Sequence, residues 1–224
     1  MKRLYAVFFI FPLITQAQLT AKPANGFIIT GKIKSIPEKS LVVLSDFNGI
    51  DTLAKATVKN GTYILKGHVT STDARIINFP EIEKRIILFM GNNTISINGI
   101  ADDFSDVLVA GSPANIDYDE FLYDIKPLND YVTMYRSQLQ FAQSQEAADS
   151  AMIMLNTAYN IYQSSIDRFL TRKRNSPVAA LILAYSYDTD QNKDVGLLQK
   201  RFESISGEAR ESQFAKNVQT VQPK

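Results

Sequence analysis

The chain has 224 residues, 24 basic and 23 acidic side chains, and neither cysteine nor tryptophan. A formal charge of +1 offers no basic face for nucleic acid, and this length makes one domain or two small ones. Without cysteine there is no disulfide, no Cys-x-x-Cys redox centre and no lipid on sulfur.

Lys2 and Arg3 precede an apolar run, Leu4 to Ile14, interrupted only by Pro12. Thr15 and Ala17 then place small residues where a signal peptidase reads. The pattern predicts a signal peptide over 1–17, cut between Ala17 and Gln18. The run is short of the ~20 residues that cross a bilayer as a helix. The expectation is therefore an exported protein of the periplasm or cell envelope, with no stable membrane insertion after processing.

Residues 18–25 read as a flexible lead-in, and 26–111 as an antiparallel β domain. Phe27–Ile33 alternates as a first strand, Leu41–Leu44 is a buried strand, and Thr52–Lys59 carries Ala54, Ala56 and Val58 on one face. Asn60-Gly61 signals a hairpin, because both residues tolerate positive φ. The return strand is Thr62–Val69, with Tyr63 and Leu65 inward. Ala74–Phe79 and Arg85–Met90 follow, then a second hairpin turn at Gly91-Asn92, Thr94–Asn98, and a last strand Asp106–Ala110. Seven or eight short strands of this kind predict a sandwich or open barrel.

The period changes at Gly111. Residues 112–220 read as a helical bundle, and 221–224 as a linker or tail, so the fold class is α+β. Ser112-Pro113 starts a helix with a stripe at Ile116, Phe121, Leu122, Ile125 and Leu128 and a kink at Pro127, running to about Ala142. A second helix, Gln145 to Lys173, has Ala148, Met152, Leu155, Tyr159, Tyr162, Ile166 and Phe169 at steps of three or four, as antiparallel pairing requires. Ser176-Pro177 repeats the cap-plus-proline start ahead of an apolar helix to Tyr187. Asp194–Ser204 is amphipathic, and Glu208–Gln219 is a last, mostly polar helix.

Certain stretches resemble a known family. Phe27–Ile33 with its internal Gly31, then Asp51, then Asn60-Gly61-Thr62-Tyr63-Ile64-Leu65-Lys66-Gly67 is similar to a domain of unknown function common in exported proteins of Gram-negative bacteria. Val109-Ala110-Gly111-Ser112 with Asn115 and Tyr118, and Asn175-Ser176-Pro177-Val178-Ala179, resemble its exit into helices and a later helix start. In that family the module precedes a thioredoxin-like domain of the thiol-disulfide oxidoreductase and peroxiredoxin type. The resemblance implies a protein partner of that kind. The redox activity itself transfers to no residue here, because the chain has no cysteine. Two forms are expected, a stand-alone module or the N-terminal fragment of such an oxidoreductase.

No stretch forms a catalytic motif, and no cofactor is implied. His68 is the single histidine, so it heads neither a histidine-rich zinc site nor a Cys-His pair, and it reads as a strand-edge surface residue. Asp102, Asp103 and Asp106 present carboxylates that suit Ca²⁺, but they lack the spacing of a calcium loop and read as a solvated turn. Asp117, Asp119, Glu120 and Asp124 read as helix-start charges rather than as ligands. Asn60 and Asn92 match the glycosylation sequon and are explained by their turns. Arg172-Lys173-Arg174 falls at a helix end, where cations bond free carbonyls. Tyrosines crowd the helical half, a composition that serves either a packed core or a partner surface. Tyr131, Tyr135, Arg172, Lys173 and Arg174 are the candidate partner contacts. The function expected is a non-catalytic exported accessory module for spacing, docking or homo-oligomerisation, with a small-ligand-binding β domain as the alternative.

Overall fold

The computed structural model describes residues 26–189 and 193–221, so the expected signal peptide and the Ala17–Gln18 cleavage site lie outside the described residues. Among these residues there are eight strands: β1 (Phe27–Lys34), β2 (Leu41–Asp46), β3 (Thr52–Thr57), β4 (Thr62–Gly67), β5 (Asp73–Phe79), β6 (Lys84–Met90), β7 (Thr94–Ile100) and β8 (Asp103–Ala110). Six helices follow: α1 (Pro113–Gln140), α2 (Gln145–Arg172), α3 (Pro177–Thr189), α4 (Val195–Ser204), α5 (Glu208–Glu211) and α6 (Gln213–Gln219). The architecture is α+β, two four-stranded sheets with helices packed on one of them.

The sheets run β4-β1-β7-β8 and β3-β2-β5-β6. Strict alternation fills the space between them. In β1, Phe27, Ile29 and Ile33 point inward while Thr30, Lys32 and Lys34 face water. Leu44, Leu65, Ile77, Phe79, Leu88 and Ile97 complete this core, each fully buried.

Two turns act differently from the hairpins that the sequence predicts. Asn60 and Gly61 do take positive φ, 52° and 68°. Yet only Lys59 and Thr62 pair across them, and the chain passes from one sheet to the other. The second turn, at Gly91-Asn92, likewise changes sheets. It delivers β7 alongside β1 in parallel, so one pair in the otherwise antiparallel sandwich is parallel. A parallel neighbour needs such a crossover. The last strand begins at Asp103 rather than Asp106, which leaves only Asp102 of the three aspartates in the turn.

The glycines of the strand motif have a packing cause. Gly31 stands opposite Tyr63 in the β1–β4 register, and a Cβ there would lie 2.0 Å from the Tyr63 ring. Gly67 stands opposite Phe27, whose ring would meet its Cβ at 2.7 Å. Each aromatic ring occupies the space that its glycine leaves. The Tyr63 hydroxyl is buried without a partner, and burial pushes its pKa well above the usual phenol range.

A second core lies outside the β3-β2-β5-β6 sheet. Ala74 of β5 and Phe89 of β6 face the helices and meet Phe121, Ile125, Ile166, Phe169 and Leu183. Strands β5 and β6 are therefore buried on both faces. At one end of this layer the buried Asp73 carboxylate accepts the Ser212 hydroxyl (3.0 Å) and the Gln213 amide (2.8 Å). Ser212 also caps α6, which divides the single last helix expected from sequence into α5 and α6.

α1 packs on α2, and one face of it, Ala114, Tyr118, Phe121, Ile125, Leu128, Val132, Tyr135 and Leu139, is buried or half-buried. On α2, Ala148, Ala151, Leu155, Ala158, Tyr162, Ser165 and Phe169 are likewise buried or half-buried. Steps alternating between three and four keep this seam inward. Ile116, Leu122 and Met152, expected on the buried stripes, fall off the seam and are exposed. Pro127 does not break α1, which runs unbroken to Gln140. The carbonyl it leaves without a helical donor belongs to Tyr123, a residue 82% exposed, so the unpaired group faces solvent rather than the core.

Candidate functional site: a junction cleft and a helical arm

Gly111 to Tyr118 fastens the helices to the sandwich. Gly111 has φ +100°, and a Cβ there would lie 2.1 Å from the Thr94 carbonyl oxygen. Ser112 caps α1 by accepting the Asn115 amide, and its hydroxyl donates to the Phe89 carbonyl at 2.5 Å. The Asn115 Oδ1 accepts the Phe89 amide at 3.2 Å, so both backbone groups of Phe89 at the outer edge of β6 are satisfied by side chains at the start of α1. The Tyr118 ring packs on Phe89 at 5.2 Å, where burial raises its phenol pKa. Asn115 Nδ2 donates to Asp119, whose carboxyl is nonetheless pushed up by burial.

A cleft of about 670 Å³ opens beside this joint. One wall is the β4–β5 loop, Thr70, Ser71 and Thr72, with the β6–β7 turn, Asn92 and Asn93. The Asn92 side chain clasps the loop, accepting the Val69 amide (3.0 Å) and donating to its carbonyl (2.8 Å). The amide nitrogen of this sequon is thus committed to a structural bond. The other wall is the end of α2 with Arg172, Lys173, Arg174 and Asn175, the start of α3, and Glu208 and Glu211 of α5.

The three basic residues differ in their surroundings. Lys173 Nζ donates to Asp117 (2.8 Å) and Glu120 (2.9 Å). These bonds, that to Asp117 first, raise its pKa above the ordinary ammonium value. Arg172 pairs with Glu120 (2.7 Å) and Asp124 (3.5 Å). Three of the acids expected to serve the helix start, Asp117, Glu120 and Asp124, thus tie α1 to the end of α2. The Arg174 side chain has no hydrogen bond or ion pair among the described residues, and neither do those of Glu208 and Glu211. Ser176, expected to cap α3, does not: its Oγ is buried in the cleft wall without a partner. An unsatisfied buried hydroxyl of this kind costs about 1–3 kcal/mol.

Tyr131 and Tyr135 lie elsewhere. They stack at 6.3 Å on the distal half of α1, about 21 Å along the helix from Asp117 at 1.5 Å per residue. The structure does not bring these tyrosines together with Arg172–Arg174. Beyond Ile125 every α1 residue is half-buried or exposed. This arm displays Tyr131 (50% exposed), Met134, Phe141, Met152, Ile153 (64%) and Met154 with few charges. Arg136 bonds the Tyr159 hydroxyl and lies over its ring.

His68 is exposed at the end of β4. Among the described residues no group of three His, Cys, Asp or Glu is placed to hold a metal ion, and no helix is long and apolar enough to cross a membrane. Sequence reasoning missed the β4–β5 loop, Glu208 and Glu211 as parts of one site, and no local signal marks them.

Residues 27–118 match a family described as a domain of unknown function (DUF4369). The match covers the sandwich and the Gly111–Tyr118 joint, and the Asn175–Ala179 stretch falls outside it. Searches of curated proteins and of solved structures found no match.

Proposed function

We propose that this chain is a non-catalytic, exported accessory module that docks on a thioredoxin-like redox protein through the distal half of α1 and α2. The observation that carries this reading is the arm itself. Among the described residues it has one seam and no third layer over it, and its outer surface displays Tyr131, Phe141, Met134, Met152 and Met154 with few charges. Such a surface has the composition of an interface centre. The resemblance of the strand and joint motifs to modules that precede thioredoxin-like domains supports the choice of partner, and the N-terminal apolar run supports export. The lack of cysteine leaves the electron transfer to that partner.

The test uses the processed protein, whose first residue is expected to be Gln18, mixed with a purified thioredoxin-like domain from the same genome. Sedimentation velocity should show a complex, and the double variant Tyr131→Glu, Met154→Glu should abolish it without moving the Tm. The chain alone should reduce no insulin disulfide. Retention of the complex by the double variant, the absence of any complex, or reductase activity in the pure chain overturns the reading.

The alternative of a ligand in the mouth of the β domain has less support. The space between the sheets is filled by Phe27, Phe79, Leu65 and Leu88, all fully buried, and the large cleft lies outside it.

A further inference from the structure

We infer that the cleft between the β4–β5 loop and the α2–α3 junction binds a small zwitterion carrying both a carboxylate and an ammonium group, an unblocked short peptide being the form that fills it. The volume, about 670 Å³, falls within the range of small-ligand sites.

The charge pattern selects the chemistry. Three cations and three anions line the cleft, so it offers partners to both signs of charge rather than to one. Lys173 and Asp117 neutralise each other, and Arg172 is spent on Glu120 and Asp124. What remains available is one guanidinium, Arg174, and two carboxylates, Glu208 and Glu211, three residues apart on a single helical turn. Their segments run side by side. The Arg174 carbonyl accepts the Ser206 amide (2.8 Å), and the Asn175 carbonyl accepts the Ala209 amide (3.2 Å). Opposite charges on neighbouring segments nevertheless stay unpaired. The guanidinium fork matches a carboxylate in two-point geometry, and a pair of carboxylates suits an ammonium with its three donors.

The facing wall completes the match. Among the described residues the hydroxyls of Thr70, Ser71 and Thr72 make no hydrogen bond, and these residues line the same cleft. Hydroxyls donate and accept, as the alternating amides and carbonyls of a peptide backbone require. This site is separate from the arm, so it stands or falls independently of the docking reading.

The test is calorimetric titration of the processed protein with tri-alanine, with backbone amide shifts followed by NMR. Free tri-alanine should bind with a Kd tighter than about 1 mM and shift the amides of Ser71, Asn93, Arg174 and Glu211. N-acetylation or C-terminal amidation of the peptide should each weaken binding at least tenfold, by about 1.4 kcal/mol or more. In Arg174→Gln the free and amidated peptides should bind equally. In Glu208→Gln, Glu211→Gln the free and acetylated peptides should do so. All three side chains are exposed, so Tm should not move, and Tyr131→Glu should leave titration unchanged. No shifts at about 1 mM peptide, equal binding of free and blocked peptides by the native protein, or variants that keep the end preference would overturn the proposal.

Discussion

The two ends of the α1–α2 hairpin share one seam pattern and differ in fate. At the near end, Phe121 and Phe169 meet edge to face at 5.1 Å, both at most 5% exposed, with α3 and the β5–β6 wall closing over them. At the far end, Leu128, Val132, Tyr135 and Leu139 repeat the spacing but remain half-buried. Spacing decides which faces of two helices meet. Burial depends on whether a third element arrives, and two helices alone leave a partly wet seam.

This contrast can be broken most sharply by paired truncations. Phe169→Ala should cost about 3–5 kcal/mol, because it empties a fully enclosed site. Leu139→Ala should cost about 1 kcal/mol, since its side chain gives up little buried area. Urea denaturation of the two variants checks the difference, and equal costs would mean that the far end is covered.

A smaller effect sharpens the boundary between the ends. Asp73→Ala strips the Ser212 hydroxyl and Gln213 amide of their acceptor and should cost about 2 kcal/mol. Hydrogen exchange should quicken in α6 and stay unchanged across 130–160 in the arm.

The smallest effect concerns alkaline pH. Lys173 has a folded pKa above its unfolded one, so its contribution is complete below the unfolded value of about 10.4 and disappears as pH rises through the folded value. Tyr162, pushed up to about 12 chiefly by burial, acts in the same direction: its contribution is complete below 10.0 and is lost as pH climbs towards 12. Lys173→Met should cost about 1 kcal/mol at neutral pH, its partners being only partly shielded. The gap to the native protein should narrow between about pH 9 and about pH 12. A gap that widens there would contradict the assigned pairing.

What the sequence revealed depended on range. The alternation of β1 and β4, the Asn60-Gly61 turn, the Ser112-Pro113 start and the α2 boundaries are all local signals. The motif glycines were visible as a pattern, but their cause, the rings of Tyr63 and Phe27 across a pair of strands, needed the register. A turn signal shows that the chain reverses without showing which sheet it enters, so the sheet changes at 60–61 and 91–93 stayed hidden. The stripe at Ile116 and Leu122 was misread because α1 has apolar residues on two sides, and only the partner helix chooses between them. The cleft was illegible because its walls come from residues 69–72, 91–93, 112–117, 171–177 and 208–211, which no window of sequence holds together.

The double burial of β5 and β6 has a practical outcome. Excising the stretch of family likeness, 27–118, would strip the cover from Ala74 and Phe89 and leave Asp73 facing an empty joint. Kinship in sequence and independence in folding are drawn along different lines in this molecule. An expression boundary that respects the physics must carry the helices through Val218 along with the strands.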